Sequence, residues 1–515
     1  MSGLPPDLQG LLAPRAYPHA VQSVVLIETH ISWVLLTGEW AYKIKRPVHY
    51  PFVDLRSVQH RNFLCQEELR LNKRFAPDVY VSVCPITQLD GEVRVAGSGR
   101  VIEHAVKMRQ FPREEMLDRL LDSARVLSEE LEEFGHDLAR IHAGLPVCAA
   151  DQDWWRPQTI RGQILENMDQ CAAAAVVFND ADAVRALRPA LEAALDRAEG
   201  VMSERGRTGR IRECHGDLHC ANIVRRGSRL LAFDCLEFDP AFRWMDVAQE
   251  VATLLADLHA RARPALAAAF LGGYLAQAGD YQACRLLNLY QVHRALVRAK
   301  VMALNATNVV QDPGEQAALR RQYQHYAQCA KRCLSLGRPS LILMHGLSGS
   351  GKSWLAQRLA PSLSAATLCS DLERRRRAGS EDRYSAGARA QVYQHLANCA
   401  MDTLAGGFTT IIDATFGSRA QRAQFQALAS KLAVPICLVH CQAPTQVLRA
   451  RIDERIKRHN DCSEADLKVL EWQERQAEPL TPEEGLKSFE VNTAERLSVE
   501  SLIHSLTPLQ VRTLS

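Results

Sequence analysis

Two short stretches of the chain place polar residues at spacings that suit phosphate chemistry. Gly346-Leu347-Ser348-Gly349-Ser350-Gly351-Lys352-Ser353 satisfies G-x-x-x-x-G-K-S without a mismatch. Its glycines let the backbone curl so that successive amides face an anion, Lys352 would reach the β/γ oxygens of a nucleoside triphosphate, and the Ser353 hydroxyl would bind Mg²⁺. In the second stretch, His215-Gly216-Asp217-Leu218-His219-Cys220-Ala221-Asn222-Ile223, an aspartate precedes an asparagine by five residues. Asp217 could accept the proton of an acceptor hydroxyl while Asn222 holds Mg²⁺. Phe233-Asp234-Cys235 then supplies another carboxylate after an apolar run, and Asp234 suits a metal ligand, although Cys235-Leu236 replaces the Phe-Gly of a D-F-G element. His219 either orients the loop or is structural.

Other residues could complete each set. Ala41-Tyr42-Lys43 has the A-x-K form of a phosphate-gripping strand lysine, and Lys45 shares its face because strand side chains alternate. Lys43 is preferred, with Glu68 on the following helix as its ion-pair partner; the competing reading makes Glu67 and Glu68 ordinary surface carboxylates. No G-x-G-x-x-G precedes Lys43, which argues against a protein kinase. In the second half, Asp371 and Asp413 each end an apolar run. Carboxylates at the C-terminal ends of parallel strands border a ligand crevice, so Asp371 could activate an acceptor hydroxyl and Asp413 could hold Mg²⁺ through water. Helix caps are the plainer alternative for both. Arg374–Arg377 are a solvated helical turn or an anionic-acceptor site. Arg451 and Arg455 share a helical face and could clamp phosphoryl charge as a lid, or pair on the surface with Asp453 and Glu454.

The elements that must position these residues follow two grammars. Val24–Ile27, Trp33–Leu36, Ala41–Lys45, Tyr80–Ile86 and Arg100–Arg109 read as strands, with a helix from about Val58 to Phe75 and a turn at Asp90-Gly91. Helical periodicity runs from Glu114 to about Glu204, and again from Asp246 to about Leu334; short strands at Ile223-Val224 and Leu230–Phe233 interrupt it. After Leu336-Gly337-Arg338-Pro339 the pattern changes to strands at Ser340–Met344, Ala366–Cys369, Thr409–Ile412 and Ile436–His440 alternating with helices, the mark of a parallel sheet. The expected fold is therefore α/β overall: a two-lobe α+β domain over 1–335, then a P-loop α/β domain over 336–515.

On these residues the first half resembles the aminoglycoside phosphotransferase/choline kinase branch of the kinase-like fold, over about residues 25–330. The second resembles the P-loop small-kinase group that includes gluconate kinase, polynucleotide kinase and zeta-toxin-like kinases, through Gly346–Ser353, Ser370-Asp371-Leu372-Glu373-Arg374, Ile412-Asp413-Ala414-Thr415-Phe416 and the arginines at 451 and 455. The order of the halves resembles bacterial fusions of an aminoglycoside-phosphotransferase-like domain with an ATP-binding domain. The resemblance implies ATP and Mg²⁺ as cofactors and matches Asp371 to an acceptor-activating aspartate.

Composition excludes several alternatives. With 515 residues, 47% hydrophobic and 23% charged, the chain can bury more than one core. A net charge of +3 gives no support to a polyanion-coating protein, and no aromatic-basic platform marks a nucleic-acid binder. Apolar runs fall far short of the roughly 20 residues of a membrane helix. The N-terminus lacks a basic segment followed by an apolar core, so a cytoplasmic protein is expected. Fifteen cysteines without a C-x-x-C read as reduced thiols. The leading expectation is a bifunctional phosphotransferase with two Mg-ATP sites, acting on hydroxyl groups of small molecules. The alternatives are an ATP-binding regulatory protein in which only one half is a kinase, and a second half that phosphorylates nucleic-acid 5′-hydroxyls. Acceptor identity and oligomeric state are not encoded in any motif.

Overall fold

Alternating side chains along the first strands build a sheet whose third strand is buried on both faces. In the computed structural model, which describes residues 3–50, 53–149, 151–308, 312–335, 337–377, 386–458, 466–495 and 498–507, strands β1 (Val25–Glu28), β2 (Ser32–Leu36) and β3 (Trp40–Lys45) pair in antiparallel succession. A small ribbon, β4 (His49–Tyr50) with β5 (Val53–Asp54), leads into helix α1 (Val58–Asn72). The Ser57 side chain caps α1 by accepting from the His60 amide. Strands β6 (Tyr80–Leu89), β7 (Glu92–Val95) and β8 (Arg100–Arg109) complete a six-stranded sheet in the order β1-β2-β3-β8-β6-β7. On one face of β3, Tyr42 and Ile44 pack with Leu8, Leu11 and Tyr17 of the N-terminal segment. On the other, Lys43 and Lys45 reach α1.

The first helical region resolves into α2 (Leu117–Asp122), α3 (Ser128–Gly144), α4 (Pro157–Ala174), α5 (Ala181–Arg185) and α6 (Arg188–Arg207). Four short strands, β9 (Ile211–Glu213), β10 (Ile223–Arg226), β11 (Arg229–Ala232) and β12 (Trp244–Asp246), then form the antiparallel pairs β9–β12 and β10–β11 that bracket the Asp217 loop. Helices α7 (Val247–Ala260), α8 (Pro264–Ala278), α9 (Cys284–Asn308) and α10 (Pro313–Leu334) follow.

The remainder is a P-loop fold: β13 (Leu341–His345), α11 (Lys352–Leu363), β14 (Ala366–Cys369), α12 (Ser370–Arg377), α13 (Ala386–Ala405), β15 (Thr410–Asp413), α14 (Arg419–Leu432), β16 (Ile436–Gln442), α15 (Thr445–Arg458), α16 (Leu467–Gln476), β17 (Lys487–Asn492) and α17 (Val499–Leu506). Its five strands are all parallel, in the order β14-β15-β13-β16-β17. Strands β7 and β17 are absent from the sequence expectation. Both are short edge strands, and β17 buries only Val491, too little apolar surface to signal itself.

Met1–Val126, Ile141–Trp155 and Gly206–Glu250 make one compact unit, and Leu127–Arg140, Arg156–Arg205 and Val251–Ser515 make the other. The 335/336 division therefore falls inside the second unit, between its helical region and its P-loop fold. No described helix is long and apolar enough to cross a membrane. The described cysteines are free thiols; Cys462 lies outside the described residues.

Helices α3 and α8 cross at backbone contact. A Cβ on Gly273 would lie 2.0 Å from the Glu132 carbonyl oxygen, and one on Gly135 would lie 2.3 Å from that of Phe270. Gly273→Ala is expected to destabilise this unit by about 1–3 kcal/mol, as overpacking of a fixed backbone contact does. Gly272→Ala, whose Cβ meets nothing within 4 Å, is expected to hold or raise stability. Urea unfolding midpoints of the two variants check this.

Candidate active sites

The first site lies in the first compact unit, where β3, α1 and the strand-flanked loop converge. Glu68 is fully buried, with Oε1 2.8 Å from Lys43 Nζ and Oε2 2.7 Å from Lys45 Nζ. Lys43 also donates to Asp234, and Lys45 to Glu237. Burial opposes the charge on Lys43, but the Asp234 and Glu68 carboxylates outweigh it and hold the ammonium well above its ordinary range. Burial likewise opposes ionisation of Glu68, yet the two lysines keep its pKa below the usual value. Lys43 keeps 11% of its side chain exposed and Lys45 only 1%, so of the two it is Lys43 that remains open to a ligand. Glu67 pairs instead with Arg70 at 2.7 Å.

Hydrogen bonds fix the loop around Asp217. The Asp217 amide donates to His215 Nδ1 at 3.3 Å, so the His215 proton sits on Nε2 and is donated to the Phe233 carbonyl at 2.8 Å. Burial pushes the His215 pKa down, in keeping with a neutral ring. His219 is arranged likewise: Nδ1 accepts from the Ala221 amide, leaving Nε2 to donate toward the Asp217 carboxylate, 3.3 Å away. The Asn222 side-chain amide donates to the Asp217 carbonyl at 3.0 Å. His219 thus orients the aspartate.

Asp234 follows β11 with φ at +67°, a left-handed conformation that costs a non-glycine residue energy and is retained where the surroundings impose it. Its amide donates to Tyr80 Oη at 3.1 Å, and the next amide, of Cys235, donates to Asn72 Oδ1 at 3.0 Å. Sequence reasoning assigned no role to Tyr80, Asn72 or Glu237, because no local spacing ties them to Asp234. It also missed Glu250, whose Oε1 accepts from the Gly216 amide at 2.8 Å while Oε2 meets His142 Nε2 at 2.9 Å. His142, Cys214 and Glu250 lie close enough to share an ion, but both Glu250 oxygens are already engaged in bracing the loop.

The second site belongs to the second unit and sits at the C-terminal edge of its parallel sheet. Gly346 (φ +140°) and Gly349 (φ +82°) occupy left-handed backbone, and a Cβ on either would collide with the carbonyls of Cys441 and Leu448 at 2.3 and 2.7 Å. The curl of Gly346–Ser353 therefore depends on glycine. Asp413 ends β15 beside the central strand, in register with Met344 and Cys369. Burial raises its pKa, against the opposing pull of Lys352 and a hydrogen bond with Ser353. Burial lowers the Lys352 pKa, and its ammonium donates to the Leu347 carbonyl at 2.9 Å.

Asp371 opens α12 and is ion-paired with Arg374. Of the arginine run, Arg376 pairs with Glu373 and Arg377 lies 3.5 Å from His395, while Arg375 is exposed. Arg451 donates to the Gly349 carbonyl at 3.2 Å and to the Thr493 carbonyl at 2.7 Å, bracing the loop from beneath. Arg455 lines the same cleft. That cleft encloses about 1510 Å³ between the loop, Asp371, Asp413 and α16. Gln473 of α16 places its Oε1 on the Ser348 amide at 2.8 Å, and Arg389 stacks 4.2 Å over the Trp472 ring.

Residues 64–287 match the model of a phosphotransferase enzyme family, and residues 341–480 match that of an AAA domain. The chain joins a phosphotransferase domain to a P-loop kinase domain. Lys43 lies outside the first matched segment, so its place beside Glu68 rests on the structure. Uncharacterised proteins of Mycobacterium bovis and Mycobacterium tuberculosis are each 27% identical over 447 residues, 85% of this chain and 87% of theirs. Among solved structures, a choline/ethanolamine kinase family protein from Mesorhizobium loti covers 64% of this chain and 96% of its own, at 12% identity and a TM-score of 0.34. An APS kinase of Mycobacterium tuberculosis covers 34% and 98%, at 19% identity and a TM-score of 0.26. Neither likeness carries an argument about substrate.

The buried charges of the phosphotransferase domain make a direct test. Glu68→Gln removes the countercharge that Lys43 and Lys45 share but leaves each lysine its outer carboxylate, Asp234 or Glu237, an expected loss of about 1–3 kcal/mol. Because the folded-state pKa of Glu68 is depressed, its contribution is complete above the ordinary glutamate range and fades as pH falls through the folded value. The difference in stability between Glu68→Gln and the unsubstituted chain is therefore expected to be largest near neutral pH and to shrink on acidification, as read by denaturant unfolding across pH.

Proposed function

We propose that the chain is a bifunctional ATP-dependent phosphotransferase, with one Mg-ATP site in each domain (1–335 and 336–515), that moves the γ-phosphoryl group onto hydroxyls of small molecules. The observation that carries this reading is the pairing, in each domain, of a buried lysine with a carboxylate just past a strand end: Lys43 with Asp234, and Lys352 near Asp413. The residues present fit the nucleotide. In the P-loop, positive-φ glycines, two of them packed against carbonyls too closely for a Cβ, shape the backbone cradle, and buried Ser350 Oγ has no hydrogen-bond partner among the described residues. In the phosphotransferase domain, Lys43 is the partly exposed cation.

In the first site, Asp217 accepts the acceptor proton, with its carboxylate turned by His219 and its backbone held by Asn222 and His215. Lys43 grips phosphate and Glu68 holds Lys43 in place. In the second, the amides of Gly346–Ser353 and Lys352 receive the phosphates, Asp371 takes the acceptor proton, and Arg451 and Arg455 steady the loop and the phosphoryl charge. Mg²⁺ would be held by Asn222 and Asp234 in one site and by Ser353 and Asp413 in the other, where it neutralises phosphate charge. Catalysis in both is positioning and charge compensation.

A second reading is favoured by one contact. Gln473 on the Ser348 amide suits a P-loop domain that binds ATP as a switch. Asp217→Ala and Lys352→Ala in the full chain separate the two. Against a panel of amino alcohols, sugars, aminoglycosides, nucleosides and 5′-hydroxyl oligonucleotides, each variant is expected to lose acceptor-stimulated ATP turnover for a different acceptor class, by about 100-fold or more. Acceptor-independent turnover that falls only in Lys352→Ala would make the second domain an ATPase switch. Stimulation by the oligonucleotides alone would make that domain a 5′-end kinase.

A further inference from the structure

Helix α12 carries Asp371 toward the cleft, and tertiary contacts fix how it is turned. Its principal anchor faces away from the cleft. Glu373 is 1% exposed, and its two oxygens are taken up separately: Oε1 accepts from the Tyr281 hydroxyl at 3.0 Å, and Oε2 meets His395 Nε2 at 3.0 Å. Arg376 adds an ion pair from the helix's own next turn.

Tyr281 comes from the turn between α8 and α9, ahead of the P-loop fold in the sequence, and is 2% exposed. The contact around it is built closely. Asn288 of α9 donates to the Gly406 carbonyl at 2.8 Å, and a Cβ on Gly406 would lie 2.2 Å from the Cys284 carbonyl oxygen. All of these residues belong to the same compact unit.

Residues two apart on a helix point about 200° from one another, so any rotation of α12 that relieves Glu373 swings Asp371 by the same angle. We propose that Glu373, held by Tyr281, is the positioning residue through which the α8–α9 segment sets Asp371, so that the P-loop domain's acceptor site is completed by residues of the preceding domain. The inference deepens the phosphotransferase reading of that domain and rests on it for the role of Asp371. A hydrogen bond to a buried carboxylate is among the stronger ones; without the Tyr281 hydroxyl, Oε1 keeps only Arg376 of its own helix, and the link to the α8–α9 segment is lost.

The experiment uses the full chain with Tyr281→Phe, which removes one hydroxyl and keeps the ring. Amide hydrogen exchange across residues 370–377 is expected to rise about tenfold, while α11 and α13 keep their protection and ATP affinity stays within about twofold. In an Asp217→Ala background, acceptor-stimulated kcat is expected to fall about tenfold with KM for ATP unchanged. Unchanged exchange at 370–377, or an equal rise in α11 and α13, would overturn the tether. Loosened α12 with unaltered kcat would overturn the positioning role. Absence of acceptor-stimulated turnover already in the Asp217→Ala background would instead count against the phosphotransferase reading of the P-loop domain, with exchange still deciding the tether.

Discussion

Glu68 allows two ammonium groups to sit side by side on β3 with almost no water around them. Removing an ion from water costs several kcal/mol, and two like charges on alternate residues of one strand add repulsion. One carboxylate between them, with Asp234 and Glu237 on the outer sides, gives each ammonium two acidic neighbours. The rest of the unit's chemistry hangs from that balance. Asn72, one turn further along α1, holds the Cys235 amide; His215 holds the Phe233 carbonyl; and Asn222 holds the Asp217 carbonyl. A continuous chain of polar contacts thus runs from a sheet lysine to Asp217.

The P-loop domain meets the same electrostatic problem with backbone dipoles around a buried lysine. Its anion receptor is backbone, shaped by glycines whose neighbours stand too close for any side chain. Lys352 is buried, and burial weakens its hold on a proton until an anion arrives, the reverse of Lys43, whose charge is secured beforehand by carboxylates. One site is therefore poised by paired charges, the other by oriented dipoles. The two are expected to differ in their response to salt, since close buried ion pairs are screened little.

Local motifs were legible because their chemistry needs consecutive residues. Gly346–Ser353 and His215–Asn222 announce themselves, as do the strands that flank them, and the fold class followed from the change of periodicity after residue 335. The difference between Lys43 and Lys45 was less legible, because a period of two puts both on one face; their outer partners differ, and those stand 191 and 192 residues away in sequence. Tyr281 and Glu373 lie 92 apart, and neither belongs to a spacing that predicts the other. Strand β17 escaped notice for a different reason: at the sheet edge, a single buried valine suffices.

Gln473 gives the P-loop an internal competitor. Its carbonyl is neutral and makes one hydrogen bond, worth about 0.5–1.5 kcal/mol, where a phosphate would bring charge to several amides at once. Occupancy of the loop by any anion is then an exchange reaction, and a measured dissociation constant reports the difference between two ligands, one of them part of the protein. Gln473 shares α16 with Trp472, so the side chain that an anion must displace stands next to an indole stacked under Arg389.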